Sequence, residues 1–325
     1  MQKLVQDLNE MNFKPVYLLF GEEDYLRKQY RDKLKTALVN EGDTLNYNYF
    51  EGKDVNVNEV IDLAQTMPFL AEKRVIILEN TGLVKSGGDK MADYVKDMAD
   101  TVILIFVEAQ IDKRSGLYKA IQSTGRVCEF KTQDEATLKK WIGQRVKQEN
   151  KRISEDAVNT LLDMAGSDMA NIQSELEKLF SYTLKKDSIS ADDVEAICIR
   201  RLASVVFDLT ENMANKRQKA ALDLYYSLLA QKETSLGLLA LISKHFTRLM
   251  EVKELQKNGY HYRVIAEKTG LHPYAVQKYE AQAGKFKTSE IRRMLQACVE
   301  TDEGIKSGKI DKDLGVELII IEYSR

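Results

Sequence analysis

The chain has 325 residues, of which 44% are hydrophobic and 30% are charged, a composition that excludes an intrinsically disordered protein. Lys and Arg total 48 against 50 for Asp and Glu, so the formal net charge of −2 argues against a protein that binds nucleic acid over its whole surface. At roughly 150 residues per domain, the length predicts two or three domains.

Strand and helix signals alternate along the first part of the chain. Continuous apolar runs predict buried parallel strands at residues 16–20, 75–78 and 102–107, and weaker signals predict strands at 47–50 and 127–130. Apolar residues at helical spacing predict helices at residues 24–38, 57–64 and 91–98. This alternation predicts a parallel sheet covered by helices.

Strand signals almost disappear after residue 131. Thr132 and Glu135 have the spacing of a capping box, which predicts that a helix begins at Thr132. Ser154, Asp168 and Ser190 are expected to cap the next three helices. Further helices are predicted at residues 217–230, 236–257, 261–269, 274–283, 288–305 and 313–323. The predicted fold class is therefore α/β followed by all-α.

The cysteine content and the length of the apolar runs predict where in the cell the protein works. The three cysteines lie far apart and form no Cys-x-x-Cys pair, so no metal site is expected, and their sparse use suits a reducing cytoplasm. The N-terminus lacks the regions of a signal peptide, and the longest apolar runs are strand-sized. We therefore expect a cytoplasmic protein that does not span a membrane.

The turn after the first predicted strand is where a nucleotide-binding sheet would hold phosphate. A phosphate loop needs closely spaced glycines, a Lys and a Ser or Thr. This turn instead contains Gly21 followed by Glu22, Glu23 and Asp24, whose three carboxylates would repel a triphosphate. We therefore assign no cofactor and no catalytic residue, and we expect no ATP hydrolysis by this chain.

Residues 262–279 have the spacing of a helix-turn-helix around Gly270. In that motif, the second helix would present Tyr274, Gln277 and Lys278 to the major groove of DNA. A helical hairpin inside a bundle has the same spacing. We favour the hairpin because the basic excess is modest: residues 212–325 contain 19 Lys and Arg against 14 Asp and Glu.

The segment around Pro68 places apolar residues where a polar loop is expected. Pro68 ends the helix predicted at residues 57–64, and Met67, Phe69 and Leu70 then lie in the connection to the next strand. They either fold back into the core or form an apolar wedge for a partner's pocket, since Met and aromatic anchors are enriched at interfaces.

Several motifs, in their order and spacing, resemble the delta subunit family of the bacterial DNA polymerase III clamp loader. The first is Pro15-Val16-Tyr17-Leu18-Leu19-Phe20-Gly21-Glu22-Glu23-Asp24-Tyr25-Leu26, and the second is Met67-Pro68-Phe69-Leu70-Ala71-Glu72-Lys73-Arg74. The others are Glu175-Leu176-Glu177-Lys178-Leu179, Val206-Phe207-Asp208-Leu209 and Lys306-Ser307-Gly308-Lys309-Ile310-Asp311. The resemblance covers nearly the whole chain.

The resemblance implies three domains and a role in replication. Residues 1–133 would form a degenerate AAA+ domain with a RecA-like parallel sheet, residues 134–204 a helical lid, and residues 205–325 a helical collar for oligomerisation. The family binds the beta sliding clamp and opens one clamp interface, so that the clamp can be loaded on primed DNA. The clamp-binding residues would be Met67, Pro68, Phe69 and Leu70, although some members have the two large apolar residues in the other order.

The resemblance also implies partners within a pentameric ring. These are the gamma/tau motor subunits, which bind the ATP, the delta-prime subunit, and the primer-template DNA inside the assembled loader. The alternatives that stay open are a DNA-binding regulator that uses residues 262–279, and an ATPase with an unrecognised nucleotide site.

Overall fold

The computed structural model describes residues 1–325, which divide into two compact units, Met1–Thr132 and Gln133–Arg325. The elements of the first unit are α1 (Gln2–Glu10), β1 (Val16–Phe20), α2 (Asp24–Leu38), β2 (Tyr47–Glu51), α3 (Val57–Ala64), β3 (Arg74–Glu79), α4 (Asp89–Lys96), β4 (Val102–Glu108), α5 (Gly116–Thr124) and β5 (Arg126–Glu129). The five predicted strands are all present, as are the three predicted helices.

The five strands form one parallel sheet in the order β2-β3-β4-β1-β5. Every residue of β1, β3 and β4 is buried, as their unbroken apolar runs require of strands covered on both faces. One face packs against the apolar sides of α3, α4 and α5, with Val60, Met91 and Ile121 fully buried. The predicted parallel sheet is therefore confirmed.

Two helices of this unit were not predicted. In α1, the buried carboxylate of Asp7 accepts two hydrogen bonds from the guanidinium of Arg126, at 2.9 and 2.8 Å, and a third from the hydroxyl of Tyr17. These contacts attach α1 to β1 and β5 across more than a hundred residues of sequence. α5 begins after Ser115, whose hydroxyl accepts from the backbone N–H of Tyr118 at 3.2 Å.

The second unit is almost entirely helical. Its first elements are α6 (Glu135–Gln148), β6 (Arg152–Ile153), α7 (Glu155–Ala165), α8 (Met169–Tyr182), β7 (Ser188–Ile189) and α9 (Ala191–Ile197). They are followed by α10 (Leu202–Ala214), α11 (Gln218–Ala230), α12 (Ser235–Lys257), α13 (Tyr262–Thr269), α14 (Pro273–Ala283), α15 (Thr288–Lys306) and α16 (Lys312–Tyr323). The fold class α/β followed by all-α is confirmed, with one short exception: β6 and β7 pair in parallel over two residues each.

Side chains cap the N-termini of α6, α7, α8 and α9, and three of these four caps were predicted from the sequence. Ser154, Asp168 and Ser190 cap α7, α8 and α9, each accepting a backbone N–H from the first turn of its helix. The predicted start at Thr132 is wrong, because Asp134 caps α6 and accepts from the N–H of Thr137 at 2.9 Å. A carboxylate near the positive end of the helix dipole is the more favourable cap.

The main core of residues 202–323 comes mostly from α10, α11, α12, α15 and α16, and Ala283 of α14 and Phe286 complete it. Its largest fully buried side chains are Tyr225 and Phe246, and Leu209, Met294 and Ile320 pack around them. No helix in the structure is long and apolar enough to cross a membrane. The division of the chain into domains 1–133, 134–204 and 205–325 stays a prediction.

Candidate functional site

The apolar loop, residues 65–73, connects α3 to β3 and presents its largest side chains to solvent. Met67 is 73% exposed, Phe69 60% and Leu70 92%, whereas Pro68 is partly buried. Of the two interpretations that the sequence allowed, folding back into the core is therefore wrong. Three large apolar side chains next to one another on a surface loop indicate an interaction site, because isolated surface apolar residues are ordinary but clusters are not.

The backbone of the apolar loop is bonded to two buried side chains. The carboxamide of Asn46 accepts from the N–H of Phe69 at 2.7 Å and donates to the carbonyl of the same residue at 2.9 Å. The guanidinium of Arg74 donates to the carbonyl oxygens of Thr66 at 3.3 Å and Met67 at 3.4 Å. The backbone is therefore fixed while the apolar side chains stay outside.

A second loop contributes to the same surface. Leu45, in the connection between α2 and β2, is 61% exposed, and its carbonyl accepts from the Arg74 guanidinium at 3.0 Å. One guanidinium thus joins the backbones of Leu45 and Met67. Leu45 and Asn46 carry no sequence signal for this site, and Arg74 was named only as the last residue of the second delta-like motif. The one available signal was an arginine directly before the apolar run 75–78.

The turn at residues 21–24 is packed against the strand ends and uses its N–H groups within the protein. Gly21 has a φ of +126°, and a Cβ at this position would lie 2.3 Å from the carbonyl oxygen of Phe130. Its N–H donates to the carbonyl of Glu108 at 3.3 Å, and the N–H of Glu23 donates to the carbonyl of Phe130 at 3.1 Å. In a phosphate loop such N–H groups face the ligand, whereas here they donate within the protein.

Two acidic residues end neighbouring strands of the sheet and both have protein partners. Glu79 is bonded by Arg31 and by the Tyr49 hydroxyl. Glu108 accepts from the hydroxyl of Thr81 at 2.7 Å and from the N–H of Gly82, while burial raises the pKa of its carboxyl. Hydrogen bonds and an ion pair within the protein thus satisfy both carboxylates. No group of three or more His, Cys, Asp or Glu is arranged to hold a metal.

The helix-turn-helix-like segment is a hairpin of α13 and α14. Ile265 and Val276 pack on Val252 of α12, and Gly270 makes the turn with a φ of +66°. Two of the three side chains that would read DNA already have partners: the Tyr274 hydroxyl donates to Asp163 at 2.9 Å, and Lys278 forms an ion pair with the same carboxylate. The hairpin interpretation, which the sequence favoured, accounts for these contacts.

Two family models match the chain. The model described as DNA polymerase III, delta subunit, matches residues 17–131, and the model described as DNA polymerase III delta subunit, C-terminal domain, matches residues 203–323. The chain belongs to the DNA polymerase III delta subunit family. The first of these matches contains the apolar loop, and the second spans helices α10 to α16 from residue 203 onward.

Relatives of the delta family match over most of the chain. DNA polymerase III subunit delta of Bacillus subtilis is 26% identical, over 98% of this chain and 95% of the relative. A probable DNA polymerase III subunit delta of Aquifex aeolicus is 23% identical, over 88% of this chain and 85% of the relative. The solved structure of the Bacillus subtilis DNA clamp loader delta protein is 25% identical, with a TM-score of 0.82 over 99% of both chains.

Proposed function

We propose that this chain binds the beta sliding clamp through the apolar loop and opens one clamp interface, so that the clamp can be loaded on primed DNA during replication. The observation that carries the proposal is the exposure of Met67, Phe69 and Leu70 on a loop whose backbone is hydrogen-bonded in place. Membership of the delta family and likeness to a clamp loader delta protein support it.

Opening the clamp requires that the chain bind the open form of the clamp more tightly than the closed form. A ligand shifts an equilibrium by the difference between its affinities for the two states and by no more. Each large apolar side chain contributes about 1.5–3 kcal/mol when it is fully buried in a partner's pocket. Three such side chains therefore supply several kcal/mol of clamp binding, and the part of this energy that is gained only with the open form favours opening.

Phe69 and Leu70 are adjacent apolar anchors of the loop, and losing both should weaken clamp binding. Replacing Phe69 and Leu70 together (Phe69→Ala with Leu70→Ala) removes two anchors, and we expect clamp affinity to fall at least about 100-fold. Surface plasmon resonance on immobilised beta clamp from the same organism measures the change. The fold should be unaffected, because both side chains lie in solvent.

Leu184→Ala is the matched control, because Leu184 is a leucine that is 78% exposed outside the apolar loop. We expect it to bind the clamp as the unmodified chain does. A correctly folded Phe69/Leu70 double variant with unchanged clamp affinity would refute the proposed function.

We also propose that the chain acts as a subunit without catalysis of its own. A delta subunit of a clamp loader assembles with other loader subunits. We infer that its partners are the gamma/tau motor subunits and delta-prime, that residues 205–325 form the collar that joins them, and that the complex works in the cytoplasm. The motor subunits supply the ATP binding.

The proposal also includes contact between residues 205–325 and the primer-template DNA inside the ring. Lys285 and Lys287 lie between α14 and α15 in the basic region, but Lys285 forms an ion pair with Glu211. Its charge is therefore partly compensated within the chain. If these lysines meet DNA, neutralising them should reduce the salt dependence of DNA binding by the assembled loader.

A further inference from the structure

Asn46 makes an unusual pair of contacts with the apolar loop. It is 3% exposed, and its side-chain amide both accepts from the N–H and donates to the carbonyl of Phe69. Two antiparallel bonds to one residue fix its orientation as well as its position, as a neighbouring strand does in a sheet. Only one orientation of the amide satisfies both bonds, because its oxygen cannot donate.

Asn46 is itself held by Asp43. The carboxylate of Asp43 accepts from the side-chain amide of Asn46 at 2.8 Å and from its backbone N–H at 3.0 Å. These hydrogen bonds lower the pKa of the Asp43 carboxyl, so it stays ionised at neutral pH and remains a strong acceptor. The connection between α2 and β2 thus ends in an ordered turn that aims Asn46 at Phe69.

The loop backbone beside this contact adopts a conformation that leucine rarely takes. Leu70 has a φ of +53°, in the left-handed region, where a side chain crowds the backbone. Such a conformation persists only when its surroundings impose it. The bonds from Asn46 to Phe69, and from Arg74 to the carbonyls of Thr66 and Met67, surround this segment.

We propose that Asn46 and Arg74 are positioning residues that hold the apolar loop in its clamp-binding geometry before the clamp arrives. The inference rests on the proposed function. A loop that is already ordered loses little conformational entropy on binding, so more of the apolar contact appears as affinity. Neither residue has to touch the clamp for this effect, because both act through the backbone of Met67 and Phe69.

The test combines amide exchange with clamp binding. Asn46→Ala removes both bonds to Phe69, and Asn46→Asp keeps the size of the side chain but cannot donate to the Phe69 carbonyl and adds a charge beside Asp43. In the free chain, we expect the Phe69 amide to exchange at least about tenfold faster in Asn46→Ala. We expect clamp affinity to fall about tenfold in both variants.

Ser115→Ala is the matched control for a simple loss of stability. It removes a helix cap from the same unit, at α5, without touching the apolar loop. We expect Ser115→Ala to lower the melting temperature about as much as Asn46→Ala does. The exchange rate of the Phe69 amide and the clamp affinity should stay unchanged. A folded Asn46→Ala chain with the Phe69 exchange rate or the clamp affinity of the unmodified chain would overturn the inference.

The two proposals fail in different ways. If the Phe69/Leu70 double variant still binds the clamp normally, the proposed function is wrong, and the exchange rate of the Phe69 amide still reports whether Asn46 orders the loop. If the double variant loses binding but Asn46→Ala and Asn46→Asp do not, the loop binds the clamp and the positioning role is wrong.

Discussion

The residues that carry the proposed function differ from those that fix their position. Met67, Phe69 and Leu70 are exposed, and the backbones of Phe69 and Met67 are bonded to Asn46 and Arg74, which are 3% and 5% exposed. Burying an arginine is unfavourable unless its donors are satisfied. Arg74 donates to three carbonyl oxygens and one side-chain amide oxygen, so its burial is matched by contacts that order two loops.

Leu45, whose carbonyl shares the Arg74 guanidinium with the apolar loop, is expected to contribute to clamp binding. If the clamp covers the surface that the two loops share, Leu45 is partly buried on binding, and Leu45→Ala should lower clamp affinity about 3- to 10-fold. That is a smaller effect than the loss of Phe69 and Leu70, because Leu45 lies at the side of the apolar loop. The same plasmon resonance assay measures it.

Ile199→Ala, at another exposed apolar residue, serves as the comparison and should bind normally. Unchanged affinity of a folded Leu45→Ala chain would confine the clamp surface to residues 65–73.

Helix and strand positions show where sequence reasoning succeeds. Strands β1, β3 and β4 were predicted because residues buried on both faces leave an unbroken apolar run. α5 was not predicted because it begins at a glycine, which disfavours a helix, and β6 and β7 are too short to have a pattern. The start of α6 was misplaced because Thr132 has the capping-box spacing, although the carboxylate of Asp134 is the more favourable cap.

The same limit applies to the candidate site. The composition of residues 67–70 left two interpretations open, packing into the core or an interaction loop, and the exposure of their side chains excludes the first. The contacts of Asn46 and Arg74 span 23 and 29 residues of sequence, to Phe69 and Leu45 respectively. No local pattern encodes such pairs, because they form only once α2, β2 and β3 have been brought together.

A polar network joins three helices of the second unit. His245 of α12 is 5% exposed; the side-chain oxygen of Gln282 lies 2.6 Å from its Nε2, and the Tyr279 hydroxyl lies 3.2 Å from its Nδ1. Thr210 of α10 bonds to the same Nε2 at 2.9 Å. Burial lowers the pKa of His245 to about 4, against opposing effects of Gln282 and Glu211, so the ring is neutral at pH 7.

This network predicts a pH dependence of stability. The unfolded chain binds the proton near pH 6.5 and the folded chain only near pH 4. The stability that the neutral ring of His245 contributes is therefore fully present above pH 6.5. It is lost as pH falls toward 4, which lowers the free energy of unfolding by about 3 kcal/mol. Urea unfolding at pH 7 and pH 4.5 measures the loss, which should be clearly smaller in His245→Gln.

His272, whose pKa burial also lowers to about 4, adds a dependence of the same sign that is present in both proteins. The comparison of His245→Gln with the unmodified chain therefore isolates His245. Equal losses of stability in the two proteins would show that His245 is protonated as easily in the folded chain as in the unfolded one.

Across the whole molecule, the near-zero net charge conceals an asymmetry. Residues 212–325 carry an excess of five positive charges, and the remaining residues an excess of seven negative charges. The basic excess suits the proposed place of the last helices near nucleic acid inside a ring. The proposed tasks thus fall on different parts of the sequence: clamp binding on residues 65–73, and assembly on residues 205–325.

This separation predicts that the first unit works alone. The fragment 1–132 contains the complete sheet, its helices and all the contacts of the apolar loop, and the core between the sheet and α3, α4 and α5 draws on no residue beyond it. A compact unit of this size is expected to fold independently. We expect the fragment to unfold cooperatively on heating and to bind the clamp with a Kd within about threefold of the whole chain's, a difference below about 1 kcal/mol.

The same fragment should fail to assemble, because it lacks the helices α10–α16 to which the collar role is assigned. Size-exclusion chromatography with the gamma/tau and delta-prime subunits measures this, and the whole chain should co-elute with them while the fragment elutes separately. The fragment with Leu70→Ala is the control for specific clamp binding and should bind more weakly. A folded fragment that cannot bind a clamp that the whole chain binds would show that clamp binding requires residues beyond 132.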